Sequence, residues 1–190
     1  MHKALFSLRS SGLAALALAC LASGVALGQR DAGNAPSGSV KVRRGHSPAI
    51  GSYRLNATPM DPSKCLELTA AEKKALNPAI KFKGERICHA APASFAGASW
   101  DVILGLVNNR IYKISALSVS NTSGEMSKLW ADVGAALRPS LGLPAAAEAN
   151  IRQWDTEDGN VIVNRAETGN THAVVLTLTS RSVSTFERVQ

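Results

Sequence analysis

The sequence predicts an α+β fold. It would hold an antiparallel sheet of about five to six strands, a hairpin plus a three-stranded meander, with one main amphipathic helix packed on it and a second short helix. Three observations predict it. Two β-rich runs flank Asn108-Asn109 within residues 99–119. An apolar stripe at helical spacing runs from Met126 to Leu137. Three further β-rich runs, near 151–156, 160–166 and 171–180, are separated by Asp158-Gly159 and Thr168-Gly169.

The chain opens with a short basic segment carrying Lys3 and Arg9, then an uncharged Ala- and Leu-rich run from Leu13 to about Leu27. The run is shorter than the ~20 apolar residues of a membrane span. A basic start, a short apolar middle and small residues before a polar stretch describe a secretory signal peptide over residues 1–28. The expected cut follows Ala26-Leu27-Gly28, with Ala22-Ser23-Gly24 as a second candidate. Cys20 raises a competing lipoprotein reading. In Ala17-Leu18-Ala19-Cys20 the large residue sits one place late for a lipobox, and the apolar run continues past the cysteine. The favoured expectation is therefore a periplasmic or secreted protein from which Cys20 has been removed, with the lipoprotein as the alternative.

Loss of Lys3 and Arg9 lowers the basic count from 21 to 19 against 14 acids, a net +5. The excess is uneven. Residues 29–44 carry Arg30, Lys41, Arg43 and Arg44 against Asp31 alone, whereas the half beyond residue 87 is close to neutral. Residues 29–50 hold few large apolar groups and many Gly, Ser, Pro and charged residues. They read as a disordered basic arm preceding a single α+β domain over 51–190, because such a segment buries too little surface to offset its ordering entropy. Export argues against nucleic acid as the partner, and so does the lack of aromatics among the basic residues. An envelope protein or an anionic envelope polymer fits better. No segment of the mature chain is long and apolar enough to span a membrane.

Two cysteines remain in the exported chain, Cys65 and Cys88, and most simply form one disulfide. A metal pair with His89 is the weaker reading, since a structural zinc site needs four ligands.

Within the domain, Leu68–Pro78 reads as the short helix. Thr69 and Glu72 form a capping box, and Asn77-Pro78 ends it. Around Asn108-Asn109, a two-residue turn would set Leu106 opposite Ile111, Gly105 opposite Tyr112, Ile103 opposite Ile114 and Trp100 opposite Leu117. In the main helix Met126, Leu129, Trp130, Val133 and Leu137 form one stripe, Thr122 and Glu125 a capping box, and Pro139 and Gly142 mark the exit.

The search for catalytic chemistry is thin. There is no G-x-S-x-G, H-E-x-x-H, S-x-x-K, G-x-G-x-x-G or C-x-x-C. His46, His89 and His172 stand apart in sequence, and Asp155, Glu157 and Asp158 read as turn acids. No metal or cofactor set is legible. The expectation is a non-catalytic exported binding or structural module. The alternatives are an envelope hydrolase with a triad from distant loops, or an inhibitor of a secreted enzyme.

One candidate site comes from register. If Asp158-Gly159 and Thr168-Gly169 are both two-residue turns, Trp154 faces Val163, Val163 faces Val174 and Val161 faces Leu176. The same arithmetic sets Arg152 opposite Arg165 and Arg165 opposite His172. Like charges directly opposite are destabilising, so Arg152, Arg165 and His172 are the candidate anion-binding residues, with Arg supplying a planar fork for a carboxylate or phosphate.

Overall fold

The computed structural model of the chain describes residues 45–59, 65–69 and 81–189. The expected signal peptide, residues 29–44 of the expected arm and residues 70–78 of the expected short helix lie outside them. The described chain is mixed α+β, with one α-helix and a short 3-10 helix at Arg181–Thr185. The strands are β1 (Leu66–Glu67), β2 (Lys81–Phe82), β3 (Glu85–Phe95), β4 (Ala98–Val107), β5 (Arg110–Ser120), β6 (Ala146–Ala147), β7 (Ile151–Asp155), β8 (Gly159–Thr168), β9 (Thr171–Ser180) and β10 (Arg188–Val189), with helix α1 (Ser123–Leu141) between β5 and β6. Eight of them form one antiparallel sheet in the order β1-β3-β4-β5-β9-β8-β7-β6, while β10 and β2 pair separately. The expected five to six strands become eight, because β1 and β6 are two-residue edge pairings, too short to show any period in sequence.

Helix α1 forms where the stripe predicts it. Thr122 caps it by accepting from the Glu125 amide at 3.2 Å, and the Glu125 carboxylate accepts from the Asn121 amide at 2.9 Å. Pro139 lies inside the last turn rather than ending it, and Gly142 at φ 74° closes the helix. Met126, Leu129, Trp130, Val133, Leu137 and Leu141 are buried. They pack over the central strands β5 and β9 in one core with Trp100, Leu104, Ile114, Leu176 and Leu178.

The hairpin turn is at Asn108-Asn109, both with positive φ (52° and 58°), the geometry tight hairpin turns require. Leu106 pairs with Ile111 as expected, but the next pair is Gly105 with Lys113. Tyr112 is the extra residue of a bulge, so Ile114 meets Leu104 and Leu117 meets Asp101, in place of Ile103 and Trp100. The bulge has a visible cause. The Tyr112 ring lies against Gly105, where a Cβ would stand 2.8 Å from Cζ, and it joins Phe82 and Phe186 in an edge-to-face cluster with centroids 5.3–5.8 Å apart. Tyr112 and Lys113 thereby escape strict alternation.

Both meander turns also sit one residue away from their expected places. Thr156 and Gly159 are joined across Glu157-Asp158, and Thr168 pairs with Thr171 across Gly169-Asn170. Gly159 is not a turn glycine. A Cβ there would collide with the Thr179 carbonyl and stand 2.9 Å from Leu55, so its bareness serves a close approach. Consequently Trp154 pairs with Val161, Val163 with Leu176 and Arg165 with Val174.

Residues 45–50, expected as the end of the arm, are packed into the domain. Ile50 is fully buried, the Ser47 hydroxyl meets Thr156 at 2.8 Å, and the Ser47 amide donates to Asp158 at 2.8 Å. Cys65 and Cys88 stand at disulfide distance, Cα atoms 5.3 Å apart, tying the β1 edge to β3. Among the described residues no helix is long and apolar enough to cross a membrane.

Candidate functional site

The register shift decides what becomes of Arg152, Arg165 and His172. Arg152 pairs with Val163, Arg165 with Val174, and His172 with Glu167 and Ser120, so the three do not form one directly opposed row. Each shift is of two positions, however, and side chains alternate with a period of two. All three therefore stay on the face that packs against α1, where Val163, Val174 and Leu176 are core residues.

On that face the two arginines converge on α1. The Arg152 guanidinium carbon lies 4.3 Å from the Trp130 ring centroid and that of Arg165 5.8 Å from the same centroid. Trp130 is itself almost fully buried in the core, so it is a fixed platform. Arg152 is anchored further by Nη1, which donates to the Trp130 carbonyl at 3.1 Å. Gly134, one turn along the helix, leaves the room: a Cβ there would collide with Nη1. Arg165 is anchored by Nε, which donates to Asn150 Oδ1 at 2.8 Å, while its own amide donates to the Asn150 carbonyl at 3.0 Å.

Among the described residues neither guanidinium has an acid partner. The ion pairs among the described residues join His46 to Glu157, Lys83 to Glu187, Arg86 to Glu67, Lys128 to Asp132, His172 to Glu167 and Arg181 to Asp155. Burial, and then the positive charge of Arg165, push the Arg152 pKa down from its ordinary value. Two cations held on one ring without a carboxylate favour an anion between them. His172, on the same face, meets Glu167 instead. It lies 3.8 Å from Glu167, and its Nδ1 is buried without a hydrogen-bond partner.

Two polar clusters escaped sequence reasoning. In the first, Ser47, Thr156 and Asp158 bond one another and bring residues 45–50 onto the β7–β8 turn. Burial works to raise the Asp158 pKa, but hydrogen bonds from Ser47 and Thr156 outweigh it and hold the carboxyl below its usual range. In the second, the Tyr112 hydroxyl donates to Glu85, and the Phe82 amide donates to the other Glu85 oxygen at 3.4 Å. Burial, with help from Glu85, pushes the Tyr112 pKa well up. Burial pulls Lys113 down, opposed by the Glu85 charge. Neither cluster has a sequence motif, since each depends on a partner distant in the chain: Ser47 for Thr156 and Asp158, Tyr112 for Glu85.

Among the described residues no group of three or more His, Cys, Asp or Glu is arranged to hold a metal ion. Compared with family models, with curated proteins and with solved structures, the chain finds no match.

Proposed function

We propose that this protein is a non-catalytic exported module of the cell envelope that binds through an anionic group of its ligand, received at Arg152 and Arg165 on the Trp130 platform. The observation that carries the reading is the pairing itself: two guanidiniums rest on one buried ring, and among the described residues neither meets a carboxylate. Such a pair stores repulsion that an anion relieves, and Arg offers the planar donor fork that carboxylates and phosphates accept. The cysteine pair at disulfide distance supports an oxidising compartment.

The test uses the full chain expressed with its own leader. The protein should be recovered outside the cytoplasm beginning at Gln29, and should bind isolated envelope material in a salt-sensitive way. An R152Q/R165Q double variant should fold normally and lose that binding. A variant retained as well as wild type would remove the arginine pair from the function, and recovery from the cytoplasm would remove export.

A further inference from the structure

We infer that the anion received at this site is a dianionic phosphoryl group, a phosphomonoester, rather than a carboxylate; the inference rests on the anion-binding reading above. It follows from which nitrogens remain open. Arg152 commits Nη1 to the Trp130 carbonyl, which leaves its Nε–Nη2 edge. Arg165 commits Nε to Asn150, which leaves its Nη1–Nη2 end. The site thus offers two separate two-donor forks carrying two positive charges.

A carboxylate has two oxygens and one charge. One fork satisfies its geometry and leaves the second arginine uncompensated. A phosphomonoester has three terminal oxygens and close to two negative charges at neutral pH. It accepts from both forks at once and neutralises both cations. Among the described residues no acid pairs with either arginine in its place. Glu167 pairs with His172, and the carboxylate of Glu148, on the loop between β6 and β7, is in no ion pair.

The anchoring makes the forks specific. Arg152 is held between the Trp130 ring, 4.3 Å from its guanidinium carbon, and the helix backbone at Trp130 and Gly134, so its tip is fixed at Nη1. A guanidinium already ordered gives up less side-chain freedom when it binds. Lysine at either position would keep the charge and lose the fork.

The experiment compares methyl phosphate, dimethyl phosphate and acetate by calorimetry and by thermal shift, on the full chain as purified. Methyl phosphate should bind about tenfold or more tighter than the other two, since tenfold corresponds to about 1.4 kcal/mol, less than one good charge-assisted contact. R165Q alone should reduce methyl phosphate to the level of dimethyl phosphate. It leaves the Arg152 anchor in place, so it also guards against a double variant that fails to fold. Acetate binding wild type as tightly as methyl phosphate, with loss of both in R165Q, would overturn the phosphoryl assignment and leave the anion reading standing. Equal binding of every anion to wild type and variants would overturn both. Vesicles of phosphatidylcholine with phosphatidic acid separate the sources. Capture on them that needs Arg165 assigns the group to a lipid headgroup, whereas binding of free methyl phosphate alone assigns it to a soluble or polymer-borne ester.

Discussion

Nη1 of Arg152 rests where Gly134 has no side chain, and a Cβ at that position would overlap it. The glycine is unusual in the middle of a helix, where Ala is favoured by about 1 kcal/mol. Gly134→Ala should therefore change two properties in opposite senses. The arginine tip is flexible enough to withdraw, so stability should hold or rise by up to about 1 kcal/mol. Anion-dependent stabilisation should fall, because Arg152 leaves the Trp130 ring. Denaturant midpoints with and without phosphate measure both, and an unchanged phosphate effect would separate Gly134 from the site.

Trp130 is both platform and core, whereas Leu137, fully buried on the same stripe, is core alone. Truncating either to Ala should cost about 2–5 kcal/mol. Comparing the two by thermal shift, only Trp130→Ala should also abolish the response to added anion.

Asp158 ties residues 45–50 to the β7–β8 turn through the Ser47 amide and the Thr156 hydroxyl. Asp158→Ala should cost about 1 kcal/mol, the modest value expected for partly exposed hydrogen bonds. The folded carboxyl titrates below its unfolded value of about 3.9. Its contribution is thus fully present above about pH 4 and fades as pH falls through the lower folded value. Urea titrations from pH 7 to pH 2 should show the wild type and the variant converging at the acid end.

Gly105 lies under the Tyr112 ring at the bulge. Gly105→Ala pushes on Cζ of a ring held by Phe82 and Phe186, so the expected cost is about 1–3 kcal/mol of overpacking. Near-ultraviolet circular dichroism of the tyrosine should change with it. If stability is kept, the ring is free to move and the bulge has another cause.

Cys65 and Cys88 enclose a separation of 23 residues. Unreduced, denatured protein should show no free thiol from this pair, and reduction should cost about 3 kcal/mol by freeing the unfolded chain. A thiol-reagent titration and paired melts with and without reductant give both values.

Some of this fold was legible in the sequence because its cause is local. The stripe from Met126 to Leu137 states a helix face at a spacing of 3.6, and Thr122 and Glu125 state its start. Asn108-Asn109 states a turn through the positive φ both residues adopt. The period of two also placed Arg152 and Arg165 on the α1 face, since a shift of two positions leaves side chains facing the same way. Contacts distant in sequence decided the rest. Gly159 is bare for the Thr179 carbonyl and Leu55, so it marks a close approach where the sequence suggests a turn. The bulge at Tyr112 answers to Gly105, Phe82 and Phe186. Trp130 joins the two arginines because α1, packed over β5 and β9, carries its ring to side chains from β7 and β8. Periodicity reports which way a side chain points; what it meets there is set only when elements far apart in the chain pack together.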